Sequence, residues 1–288
     1  MTSERGYTLP THPPKRYPSV GECIYCGAKE HLTQEHVIPF SAGGRWVLPD
    51  ASCKKCSAVT GAFEGEFSRT ILGPLRMLYN MPTRRPKDRP DHLPLKVKYP
   101  HSADWEIAYV DRSICPFLVG LPLYPLPDAL TGLTTDGNRS AATSQIWIRG
   151  AGFWPDKDAQ LQWLCTALGA TEVMPTATVN AEPFCLTLAK IAHAFAVAEL
   201  GLGVFEPFLR DMIRSRDLSN RAEFIGGGSG DEPASDQLHE LILDDKAGTD
   251  QSIVSVRIRL LGLLGTPTYH VAVGRRNQNA SSGSIPVS

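Results

Sequence analysis

The chain has 288 residues, 42% hydrophobic and 20% charged, an ordinary globular composition that excludes a wholly disordered chain, a fibrous repeat and a coiled coil and suggests about two domains. A formal net charge of −1 argues against a protein held to nucleic acid by bulk charge alone. The most apolar stretch, Phe184 to Leu209, contains Lys190, His193, Glu199 and Glu206, so it reads as a buried amphipathic helix rather than a membrane span of about 20 uncharged residues.

Residues 1–20 are proline-rich and are expected to form a disordered tail. They lack the basic-then-apolar order of a secretory signal, so a cytoplasmic, reducing location is expected. The cysteines decide where to look next. Seven is an odd number, and Cys115, Cys165 and Cys185 are scattered among apolar residues like buried free thiols. The other four are paired as Cys23-Ile24-Tyr25-Cys26 and Cys53-Lys54-Lys55-Cys56. A C-x-x-C turn lets two thiolates reach one tetrahedral Zn²⁺, and two such turns make a closed, structural site with no open coordination position.

The 26 residues between the two turns exceed the usual ribbon spacing of about 15–20, so a further element lies inside. Leu32, Thr33, Val37 and Ile38 favour a strand that Pro39 stops; Gly43-Gly44 marks a loop, and Trp46-Val47-Leu48 supplies a returning strand. Val59, Phe63, Phe67, Ile71 and Leu75 then recur at intervals of four, an apolar helix face running to about Pro74.

The order C-x-x-C, Glu35-His36-Val37-Ile38-Pro39, Gly43-Gly44, Leu48-Pro49-Asp50-Ala51-Ser52-Cys53, Val59-Thr60-Gly61-Ala62-Phe63-Glu64 resembles the HNH endonucleases, members of the ββα-metal (His-Me finger) nucleases. The resemblance is specific over Cys23 to Leu78 and weaker beyond. It implies that His36 is the general base and that Glu35 holds a catalytic Mg²⁺ or Mn²⁺. The chemistry agrees, since an imidazole near its ordinary pKa suits activation of water at neutral pH, and a carboxylate-held divalent ion suits charge developing on a phosphate. Neighbours in a regular strand face opposite ways, so Glu35 and His36 can serve one phosphate only if the backbone twists or bulges. The family usually places His or Asn just after the second C-x-x-C as a further ligand, where this chain has Ser57. Either Ser57 coordinates through water, another side chain substitutes, or the site is impaired. Glu64, about two helical turns on and across Gly61, is the natural substitute. His31 and His92 carry no motif, and His193 reads as a packed core residue with a hydrogen-bond partner.

Arg69 and Arg76, seven apart, are expected on one helix side, and residues 83–94, with Arg84, Arg85, Lys87 and Arg89, form a basic, proline-rich linker. With Arg45, Lys54 and Lys55 they suit backbone phosphates, or simply a solvated surface. From Glu223 to Asp250 the balance is acidic. Residues 95–276 alternate short β-rich runs (Leu95–Tyr99, Trp105–Val110, Phe117–Leu123, Ile146–Ile148, Ile253–Leu264, Tyr269–Val273) with helices over Asp158–Leu168 and Pro183–Ser215, the second divided at Gly201-Leu202-Gly203 and Pro207. Gly226 to Gly230 is expected as a flexible loop, and 277–288 as a polar tail.

The fold class expected is therefore α+β: a small zinc-stabilised ββα-metal unit at 21–82 followed by a larger mixed α+β domain. The function expected is a metal-dependent endonuclease acting on nucleic acid, DNA before RNA, with no membrane partner. The larger domain is then left to recognise target, protein partner or a second copy. Two alternatives stand beside it: a zinc-knuckle nucleic-acid-binding protein that has lost catalysis, and a zinc-stabilised protein-interaction module.

Overall fold

A computed structural model describes residues 13–83, 85–132, 145–151, 157–228, 232–244 and 252–277. The chain opens with strand β1 (Lys15–Arg16), then β2 (Leu32–His36), a single 3₁₀ turn at Phe40–Ala42, β3 (Trp46–Cys53) and helix α1 (Lys54–Thr70). β2 and β3 pair antiparallel and β1 adds to β3 in parallel. The strand, loop, strand, helix order read from the sequence is thus present. The segment expected as a disordered tail departs from that reading, for from residue 13 it belongs to the fold. β1 pairs with β3, Tyr17 is buried, and the Tyr17 hydroxyl donates to Glu199 at 2.5 Å. Burying one aromatic ring and closing two backbone hydrogen-bond sites outweighs the proline content there.

Helix α1 ends at Thr70 and a second helix, α2 (Gly73–Leu78), begins with Pro74 in its first turn, where a missing N–H does no harm. Arg69 and Arg76 therefore lie on different helices, not on one side of a single helix. The residues expected as linker contain an exposed 3₁₀ turn at Pro86–Asp88, and strand β4 (His92–Lys98) starts inside that range.

Beyond it, β4 pairs with β5 (Glu106–Asp111) and with β8 (Glu172–Met174), and α4 (Lys157–Leu168) packs on β8. This sheet has a small core of its own, built on Leu93, Leu95, Val97, Val110, Cys115 and Leu164. β6 (Phe117–Leu123) pairs with β7 (Gln145–Ala151), and a short helix α3 (Asp128–Thr131) lies between them in sequence. Helix α5 (Ala181–Leu200) is followed by β9 (Phe205–Pro207), α6 (Arg210–Ser215) and α7 (Arg221–Phe224). Strands β10 (Ile225–Gly227), β11 (His239–Asp244), β12 (Ile253–Leu260) and β13 (Tyr269–Arg276) complete the chain. The last four form an antiparallel sheet in the order β10-β13-β12-β11, with β9 on the free part of β13. Gly226 and Gly227, expected in a loop, lie in β10, where the missing side chain lets Gly226 pass against the Pro125 carbonyl. Gly201, one of the residues expected to divide this helical stretch, ends α5 at φ 89°, and Phe205–Pro207 beyond it is a strand paired with β13 rather than helix.

Helix α5 is the centre of the molecule. Every residue from Pro183 to Val197 is buried, so the helix is enclosed on all sides rather than amphipathic. It is long and apolar enough to cross a membrane by length and composition, yet here it is packed between chain elements. It packs against α1 and against β12 and β13. Phe184 joins the two, with Phe67 of α1 at 6.1 Å and Tyr269 of β13 edge-on at 5.0 Å. Trp46 stacks on Phe195 at 5.8 Å. Cys23 to Met81 and Phe117 to Val273 consequently share one continuous core, which does not divide at residues 83–94.

Candidate functional site

The base of the ββα unit is the cysteine cluster. The Sγ atoms of Cys23, Cys26, Cys53 and Cys56 lie within 4.8 Å of one another, and Cys26 and Cys53 are 3.7 Å apart. A zinc ion with Zn–S bonds near 2.3 Å places tetrahedral sulfurs about 3.8 Å apart, so the four fit the ion. Cys53 also caps α1, its sulfur accepting the Cys56 N–H at 3.5 Å. Burial works against ionisation of this thiol, but the Cys56 N–H and the neighbouring thiols bring it down to about 7. Burial pushes the thiols of Cys23 and Cys56 the other way.

Above the cysteines, a register shift between Thr33 and Glu35 interrupts the β2–β3 ladder. This is the irregularity that sharing one phosphate demands of adjacent residues, and it brings Glu35 and His36 to the same cleft. The cleft, of about 250 Å³, is lined further by Ser57, Thr60, Gly61 and Glu64 of α1, by Phe40 and Ser41 of the connecting loop, and by Arg76. The His36 ring lies beside Phe40, centroids 5.6 Å apart, with its Nε2 3.5 Å from the Gln34 amide. Gly43 turns the loop with φ 89°, and Gly44 passes so close to Ile38 that a Cβ would stand 1.9 Å from its carbonyl oxygen. These two glycines let the chain fold back between the strands that hold His36 and the cysteines.

Of the residues expected to act on nucleic acid, Arg76 alone lines this cleft among the described residues. It is half-buried and donates to the carbonyls of Ser68 and Pro82 at 3.4 and 3.3 Å, and burial lowers its guanidinium from the ordinary value. Arg45, Lys54, Lys55, Arg69 and Arg85 are exposed and do not line it. Arg84 lies outside the described residues. The acidic stretch is partly spent inside the fold, where Glu240 and Glu232 face Arg259 at 3.4 and 3.8 Å.

The decisive side chain is one the sequence reading did not assign. Lys190, from the middle of α5, reaches under the cleft and places its Nζ 2.7 Å from Glu35 Oε1 and 2.7 Å from Glu64 Oε1. Its third donor goes to the backbone carbonyl of His36. The lysine side chain is 0% exposed, against 7% for Glu35 and 19% for Glu64. Burial alone would push the ammonium down, but the two carboxylates outweigh it and hold it above its ordinary value. The signal was available: a lone lysine in Leu188-Ala189-Lys190-Ile191-Ala192 must find a counter-charge if the helix is buried.

The catalytic divalent ion expected on Glu35, Ser57 and Glu64 fits this arrangement poorly. The three residues are brought to one cleft, but the two carboxylates already share a cation. An ion on the same oxygens would stand within about 5 Å of the ammonium, given metal–oxygen bonds of about 2.3 Å and the 2.7 Å Lys190 contacts. Two positive centres would then compete for a pair of carboxylates.

His193, expected in the core, is there: its Nε2 is 2.9 Å from the Ile24 carbonyl, which also accepts from Arg210, and burial pushes its imidazole down to about 4. Together these elements define a ββα unit stapled at four cysteines, with an acidic residue and a histidine on one cleft. Residues 23–71 match the family model of the HNH endonucleases. No curated protein and no solved structure matches the chain.

Proposed function

We propose that the chain is an HNH endonuclease that hydrolyses phosphodiester bonds of nucleic acid, DNA before RNA, with His36 as the general base. The observation that carries this reading is the bulge that brings Glu35 and His36 to one open cleft above the cysteine cluster, within the segment that matches the family. His36 takes the proton of the attacking water, while Arg76 on the cleft wall meets a phosphate oxygen. A general base is worth about 10²–10⁴-fold in rate. The Mg²⁺ or Mn²⁺ that such enzymes use would supply charge to the leaving oxygen. The carboxylates of Glu35 and Glu64 are already engaged by Lys190.

Lys190 and Ser57 favour a second reading, a zinc-stapled nucleic-acid-binding unit without catalysis. One assay separates the two. Supercoiled plasmid and single-stranded DNA are incubated with wild type and His36→Ala of equal zinc content, in Mg²⁺, Mn²⁺ or neither. Nicking by wild type that falls at least about 10²-fold in His36→Ala supports the nuclease. DNA retarded in a gel but never shortened supports the binder, and equal cleavage by both proteins refutes His36 as base.

A further inference from the structure

We propose that Lys190 is the resident cation of this centre: its ammonium stands between Glu35 and Glu64 where a divalent metal ion would stand, and it pins the strand end that carries His36. The inference rests on reading Glu35, His36 and Glu64 as one centre.

The surroundings of Nζ are those of a hard cation. Two carboxylate oxygens and one backbone carbonyl converge on it, the oxygen-only set that Mg²⁺, Mn²⁺ and Ca²⁺ take. An ammonium has three donors, and all three are used on these oxygens. Lys190 therefore has none left for a substrate and does not reach the cleft. It is a positioning residue that acts through the groups it holds. The charges point the same way. Two carboxylates without it would place two negative charges side by side where both are largely buried; with it, the three groups carry a net charge of −1.

The helix makes this cation permanent. Lys190 sits in the buried run from Pro183 to Val197, flanked within the core by Phe184 against Phe67 and by Phe195 against Trp46. Withdrawing the ammonium would mean displacing a helix whose aromatic residues are packed on two sides. A free metal ion exchanges with solvent, whereas this charge is covalently attached and fully enclosed. Its grip on the His36 carbonyl also fixes the backbone from which the imidazole projects, so the same residue sets the carboxylates and the base relative to one another.

The test is Mn²⁺ binding by the full-length zinc-loaded protein, followed by electron paramagnetic resonance and by thermal melts with and without Mn²⁺, in the absence of DNA. Wild type and Glu35→Gln should take up Mn²⁺ equally weakly, and the wild-type melting temperature should not respond to the ion. Lys190→Ala should gain about one Mn²⁺ per chain in the vacated oxygen set. That gain should vanish in Lys190→Ala/Glu35→Gln, and the Lys190→Ala melting temperature should rise with Mn²⁺. A wild-type Mn²⁺ site that Glu35→Gln or Glu64→Gln removes would overturn the proposal, as would a folded Lys190→Ala that gains no site. Should Lys190→Ala fail to fold, the wild-type comparison with Glu35→Gln still decides. Since no cleavage is measured, failure of the nuclease reading would show only in the plasmid assay.

Discussion

Two histidines of this chain show how surroundings set a residue's chemistry. His36 sits partly exposed on a cleft beside an acidic pair, whereas His193 is enclosed in α5 between the rings of Tyr25 and Phe205, with the Ile24 carbonyl as its hydrogen-bond partner. Burial pushes His193 down to about 4, while in the unfolded chain it takes a proton near pH 6.5. The unfolded state thus binds more protons between those values, so native stability is full above about pH 6.5 and is lost as pH falls towards 4, by about 3 kcal/mol in all. Urea unfolding across this range should show that loss for wild type and a flatter profile for His193→Asn. The cysteines add a second dependence. Zinc needs thiolates, so Cys53→Ser should carry no zinc and lose the cooperative melt of the N-terminal unit, as read by metal analysis and calorimetry. The paired spacing of these four cysteines and the Glu35-His36 dipeptide were legible in the sequence because their signals are local. Lys190 was not, because its meaning comes from residues more than a hundred positions away.

At the level of elements, the loop between β2 and β3 and the first turns of α1 shape the cleft. Gly44→Ala would set a Cβ 1.9 Å from the Ile38 carbonyl, so a loss of about 1–3 kcal/mol is expected in denaturant unfolding. Gly61 is the opposite case, since a Cβ there meets nothing within 4 Å. Gly61→Ala should stabilise the helix by up to about 1 kcal/mol. Gly61→Phe should fill the cleft and abolish DNA cleavage or binding while the protein stays folded, as judged by plasmid assay and circular dichroism side by side. The strand, loop, strand, helix order was legible from Pro39, Gly43-Gly44 and the period of Val59, Phe63 and Phe67. The break between α1 and α2 was not, because Leu75 and Arg76 continue the helical period on paper while the chain turns at Ile71 and Leu72.

For the whole molecule, the shared core matters most. Phe63 and Phe67 of α1 belong to the same cluster as Phe184, Phe195 and Tyr269, so a chain ending at residue 83 would expose that face and strip Glu35 and Glu64 of Lys190. Such a truncation should bind zinc weakly and show no cooperative melt; a sharp, zinc-dependent melt would refute the dependence. By itself the sequence determined what is written in short range: an α+β chain, the four-cysteine staple, the Glu35-His36 pair and the candidate Glu64, each set by residue type and spacing. Only the tertiary structure decided that α5 is buried on every side, that the N-terminal unit shares its core with the C-terminal sheet, and that the carboxylates meet an ammonium. The physical reason is that a buried charge must be answered by whichever opposite charge the packing brings within about 3 Å, and packing over that span of chain leaves no periodic trace in the sequence.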